Sequence, residues 1–178
     1  MKLHIGGKIK KDDWKILNIQ NKEGVDFIGD ISDLSQFEEE SINEIYASHV
    51  FEHVPQKKII STLSGINRVL KTGGKFYLSV PDIDVLFKFF LTPLTSYATK
   101  IGKTEGEIKM HVLRIIFGGQ MDQYDFHYFG WNFGFLKSAL IKAKFTKIEK
   151  VINFNLFEDT SNYKPYGFPI SLNVVAFK

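Results

Sequence analysis

Before residue 82 the chain reads as five short apolar runs, and only one helix-length amphipathic segment separates any of them. The runs cover residues 2–5, 14–19, 25–29, 42–48 and 75–81, and they are rich in the β-branched and aromatic residues that favour strands. In the fifth, Phe76, Leu78 and Val80 alternate, which points them to one buried face. The helical segment shows Ile59, Ile60, Leu63, Ile66, Val69 and Leu70 at spacings of three and four, with Gly73-Gly74 as its expected stop. Further on, residues 82–90, 105–117 and 132–145 read as helices, 118–131 as an aromatic-rich loop, and 147–154 and 169–178 as strands. Strands alternating with helices predict an α/β fold around a mainly parallel sheet. The last two strands have no helix between them and are expected to pair as an antiparallel hairpin at one edge. No repeat or linker divides the chain, so residues 1–178 are expected to form a single domain.

Composition removes several function classes. There is no cysteine, which excludes disulfides and thiolate metal sites and fits a cytoplasmic protein. The N-terminus lacks the apolar core of a secretory signal. The most apolar stretch, residues 85–94, is short and broken by Lys88 and Pro93, so no membrane association is expected. Net charge is +3, but of 23 basic residues only Arg68 and Arg114 are arginine. Arginine is the usual bidentate phosphate ligand, and lysine-dominated basicity without a cluster argues against a nucleic-acid surface. Nothing in the sequence sets an oligomeric state.

The string His49-Val50-Phe51-Glu52-His53 is H-x-x-E-H, the inverted zinc-peptidase motif. That chemistry requires both histidines on one face of a stable helix. Here a strand-like run precedes His49, and Pro55 disfavours helical backbone at Val54. At most one helical turn is available, and no third ligand announces itself. The sequence therefore assigns no metal ligands, and His49 and His53 are not expected to share a zinc ion.

In its wider setting, "INEIYASHVFEHVP" followed by "INRVLKTGGKFYLSVPD" resembles the class I S-adenosylmethionine-dependent methyltransferases of the type 11 kind. Thr72 stands where that family commonly has proline in "RVLKPGG". The resemblance implies a Rossmann-like sheet of the seven-stranded type, the cofactor S-adenosylmethionine and a methyl-transfer reaction. In such open sheets the ligand lies beyond the carboxyl ends of the strands. The implied cofactor residues are Ile5, Gly6 and Gly7 after the first strand, Asn18 after the second, Asp30 and Ile31 after the third, and Ser48 and His49 after the fourth. Asp30 falls at the position that accepts from the adenine amino group, Ile31 covers the ring, and Asn18 falls at the ribose position. Asp30 could equally cap a turn for Ser32 and Asp33.

Two departures from the family pattern matter. Only about six residues follow Gly6-Gly7 before the second strand, too few for a crossover helix, so the first helix is expected to be shortened or absent. Lys8, Lys10 or Lys11 could stand in for its N–H groups, though solvated surface lysines explain them more simply. Asn18 also replaces an acidic residue and loses charge-assisted hydrogen bonding. Residues 82–131 are expected to form an insertion on the acceptor side. Within the acceptor region His127, Tyr128 and His49 are the candidates for catalysis, with Asp82 and Tyr124 behind them. The acceptor implied is a small molecule or a glycan. A catalytically degenerate module with the same fold is the other reading.

Overall fold

The structure is a computed structural model that describes residues 1–178. Seven strands form one sheet, β1 (Lys2–Ile5), β2 (Trp14–Asn18), β3 (Phe27–Ile28), β4 (Ile42–Ser48), β5 (Leu70–Pro81), β6 (Lys147–Val151) and β7 (Ser171–Phe177). Their spatial order is β3-β2-β1-β4-β5-β7-β6. The first five are parallel, while β7 runs antiparallel to both β5 and β6. The predicted terminal pair is thus present. Its connection is not a tight turn, however, because residues 152–170 loop away and include a 3₁₀ turn at Thr160–Asn162.

Period-two alternation divides the sheet into two faces. Leu3, Ile5, Ile45, Ala47, Phe76 and Leu78 point to the face covered by α1 (Ile59–Val69) and α5 (Phe133–Lys142), and belong to a core cluster of 28 buried residues. The intervening His4, Tyr46 and Tyr77 point the other way. There, Trp14, Tyr46 and Phe157 form a small second core with Tyr77, Phe154 and Leu156 packed on it. The β6–β7 connection supplies Phe154, Leu156 and Phe157. Tyr46 donates to the Asp159 carboxylate at 2.8 Å, and Asn173 Nδ2 donates to the carbonyls of Ile152 and Ser161, both at 3.0 Å, which holds the connection in place.

No helix lies between β1 and β2, as the short spacing predicts. Gly6 N instead donates directly to Leu17 O at 2.8 Å, and Lys11 turns away to bond Leu156 O and cover the Phe157 ring. A third cluster joins α2 (Ile83–Leu91), α3 (Thr95–Lys100) and α4 (Glu105–Phe117) with Tyr166 and Ile170.

Several boundaries differ from the sequence reading. α3 is absent from it, because "TSYATK" has weak helix formers and no periodic apolar face. The helix before β5 ends at Val69 rather than at Gly73-Gly74, since Leu70 already pairs with Ile42. The glycines sit in the irregular part of β5, where the register shifts between Ile42 and Glu44 and Gly73 adopts φ +77°. β6 ends at Val151, because the residues beyond it leave the sheet edge and Phe154 packs on Tyr46 and Tyr77.

Candidate functional site

A cavity of about 290 Å³ opens at the carboxyl edge of the parallel strands. Ile5 and Gly6 line it from the end of β1, Leu17 to Ile19 from β2, Gly29 to Ser32 from β3, and Val50, His53 and Pro55 from the segment after β4. Gln123, Tyr124 and Tyr128 close it from the 118–131 loop. That loop is fixed from below: Tyr128 N donates to Glu52 O at 2.8 Å, and buried Trp131 stacks on Phe51 with ring centroids 5.1 Å apart.

Of the residues expected at a cofactor site, Ile5, Gly6, Asn18, Asp30 and Ile31 line this cavity. Gly6 has φ +73°, and a Cβ there would overlap Val50 Cγ2, so glycine is what leaves the space open. Asp30 Oδ1 accepts from Ser32 N at 2.6 Å, the turn-capping role, while Oδ2 has no protein partner. Asn18 is committed to backbone: Nδ2 donates to Gly7 O at 3.1 Å and Oδ1 accepts from Gln20 N at 3.0 Å. Gly7 and Ser48 do not line the cavity; Gly7 is held by that Asn18 bond, and Ser48 Oγ is buried without a partner.

His49 lies just past β4 with φ +53°, a conformation few non-glycine residues adopt outside constrained sites. The turn sends its ring toward Glu52 Oε1 (3.3 Å from Nδ1) and Ser171 Oγ (2.8 Å from Nε2). The following residues Phe51–His53 form one 3₁₀ turn, so the two histidines of H-x-x-E-H do not share a helical face.

Around Glu52 the tertiary structure assembles a group that spacing could not show. Glu52 is 1% exposed. Burial alone would raise its pKa, but His49, His127 and His53 together outweigh this and the net shift is downward. His127, 4.0 Å away at Nε2, has its own pKa lowered by burial, against the pull of Glu52. The site is an ionised carboxylate enclosed by three imidazoles. His127 belongs to this cluster, whereas Tyr128 faces the cavity and is exposed. The H-x-x-E-H string carries three of the four members of this cluster, and the fourth, His127, lies more than seventy residues further along.

Asp82 has a structural role. It caps α2 through the Asp84 and Val85 amides and pairs with Lys150 Nζ at 3.3 Å. It borders a separate groove of about 670 Å³ between α2 and the β6–β7 edge, which His127 and Tyr128 do not line.

A seven-stranded sheet in this order, with its cavity at the carboxyl edge, is the fold found in class I S-adenosylmethionine-dependent methyltransferases. Residues 11–78 match the model of a family described as methyltransferase domain. A SAM-dependent methyltransferase from Archaeoglobus fulgidus superposes with a TM-score of 0.58 at 14% identity, over 99% of this chain and 85% of that one. One from Thermotoga maritima gives 0.56 at 14% identity, over 99% and 81%. The trans-methyltransferase CalH, in complex with SAH, gives 0.53 at 15% identity, over 99% of this chain and 51% of its own. No curated protein matches the chain by sequence.

Proposed function

We propose that the chain is an S-adenosylmethionine-dependent methyltransferase acting on a small-molecule or glycan acceptor, with the cofactor in the 290 Å³ cavity. The observation that carries this is the arrangement of strand ends. The first residues beyond β1, β2 and β3, and Val50, His53 and Pro55 of the segment after β4, line one cavity wall. The residues fit the group: Gly6 leaves room for close backbone approach, and Asp30 keeps one carboxylate oxygen free for an amino donor. Ile31 would cover the adenine, with Ile5 and Gly6 shaping the floor. Asn18 would offer the ribose its remaining hydrogen-bonding capacity, whereas Ser48 and His49, expected at the methionine end, lie outside the cavity wall.

When bound, the cofactor supplies an electrophilic methyl group. The chain's own work is to hold the acceptor in line with it, which can contribute about 7–11 kcal/mol at the extreme. Tyr128 at the cavity mouth is placed for positioning. His127, kept neutral by burial beside the Glu52 carboxylate, and His49 are the groups able to take a proton from a hydroxyl or amine. No helix is long and apolar enough to cross a membrane. The cysteine-free composition supports a cytoplasmic setting.

A non-catalytic binding module is the second reading. Two observations favour it: the Asn18 amide is engaged by Gly7 and Gln20, and residues 6–13 offer no helix N-terminus to an anion. Calorimetry with S-adenosylhomocysteine separates the readings. We expect binding by the wild type, and an Asp30→Ala loss of roughly ten- to a hundredfold, because a hydrogen bond to a charged partner contributes about 1.5–3 kcal/mol. Losing the turn cap should cost only about 1 kcal/mol of stability. A folded wild type that binds nothing supports the second reading. Unchanged binding in Asp30→Ala removes Asp30 from the site.

A further inference from the structure

We propose that Glu52, His53 and His127 bind a divalent transition-metal ion at the edge of the cavity. Their donor atoms all lie within 4.8 Å of one another. Neither oxygen of Glu52 has a hydrogen-bond partner, although the side chain is almost wholly buried. The nearest groups are His49 Nδ1 at 3.3 Å and His127 Nε2 at 4.0 Å, both on Oε1. A buried carboxylate without hydrogen bonds is unfavourable unless a cation compensates it.

The two imidazoles are prepared for the same ion. His53 Nδ1 lies 3.0 Å from the Phe126 carbonyl oxygen, which can only accept, so Nδ1 carries the hydrogen and Nε2 presents its lone pair. Such a carbonyl partner is the usual way a ligating histidine is oriented. His127 packs edge-on against His53 with ring centroids 4.7 Å apart. Its Nδ1 is buried and unpartnered. Two imidazoles and one carboxylate suit zinc, manganese, iron or cobalt and leave coordination positions open. His49, hydrogen-bonded to Ser171 with its Nδ1 3.3 Å from Glu52 Oε1, flanks the carboxylate from outside the set.

This is not the ion that H-x-x-E-H suggests, since His49 and His53 do not share it. His53 also lines the cavity, so an ion here borders the space that we read as the cofactor's. There it supplies a Lewis acid for an acceptor oxygen. That role, unlike the binding, rests on the methyltransferase reading.

The test is equilibrium dialysis of chelator-stripped full-length protein against Co²⁺, with metal counted by elemental mass spectrometry and the visible Co²⁺ absorption recorded. We expect one Co²⁺ per chain. Affinity should fall at least tenfold in Glu52→Gln, His53→Ala and His127→Ala, and should be unchanged in His111→Ala on α4. Should Glu52→Gln unfold, the decision passes to His53→Ala, whose side chain is partly exposed, with circular dichroism as the fold control. No stoichiometric Co²⁺ on the wild type overturns the site, as does uptake that survives both histidine variants. An S-adenosylhomocysteine titration of the same stripped protein keeps the readings apart. Co²⁺ uptake without that binding supports the site and counts only against the cofactor assignment.

Discussion

His4 shows how far the fold can change one residue. It sits in β1 on the face opposite α1, enclosed by Tyr46 and Phe157, with ring centroids at 4.9 and 4.3 Å. Burial lowers its pKa from 6.5 to about 4, only partly opposed by the charge of Asp159. Above pH 6.5 folded and unfolded chains both hold it neutral. Below that, the unfolded chain takes up a proton that the folded chain refuses until about pH 4. Stability should therefore fall across this window, by about 3 kcal/mol for this one group. Urea unfolding at pH 7 and pH 4 for the wild type and His4→Leu measures it. The wild type should lose about 3 kcal/mol more than the variant, because all other titrations are common to both. Equal losses would show that His4 is protonated freely in the folded state.

Among the elements, the β6–β7 connection carries a load that its sequence does not announce. In a doubly wound sheet, crossover helices normally cover both faces. Here the β1–β2 link is too short for one, and residues 152–163 lie over Trp14, Tyr46 and Tyr77 in its place. The polar anchor of this cover is the buried Tyr46 hydroxyl, which donates to Asp159 and lies 3.2 Å from Ser161 Oγ. Burial raises the Tyr46 pKa, so the phenol stays a donor at ordinary pH. Tyr46→Phe keeps the ring packing and removes the hydroxyl. It should cost about 1.5–3 kcal/mol, as expected for a hydrogen bond to a charged acceptor. Hydrogen exchange should quicken selectively over residues 152–163. Exchange unchanged there, with stability intact, would mean that the aromatic contacts alone hold the cover.

For the whole molecule, the cavity joins parts of the chain that are far apart: the ends of β1, β2 and β3, the segment after β4 and the 118–131 loop. A ligand filling it ties these parts together and binds only the folded state. S-adenosylhomocysteine at a hundredfold its dissociation constant should add about 2.7 kcal/mol of stability. For a chain of this size that corresponds to a melting-temperature rise of roughly 5–10 °C. Thermal shift with adenosine as the control checks this. A rise no larger than with adenosine would place the ligand's methionine end outside the cavity.

What the amino-acid sequence determined by itself was local and periodic. Alternation set which side chains of β5 face α1, and the short spacing after Gly7 excluded a first crossover helix. The strand-end candidates Gly6, Asn18 and Asp30 followed once the strands were placed, because parallel strands bring their carboxyl ends to one edge. The tertiary structure decided the rest, for the reason that the deciding contacts are distant in sequence. Asp30 and Asn18 look alike as polar strand-end residues, yet Asn18 is consumed by the backbones of Gly7 and Gln20 while Asp30 keeps one oxygen free. Asp82 and Lys150 become partners only when β6 is added to the far edge of the sheet. His127 acquires its chemistry from Glu52, which Tyr128 N grips by its carbonyl oxygen across the intervening chain. Periodicity specifies which way a side chain points, but only packing brings a second side chain from another segment to meet it.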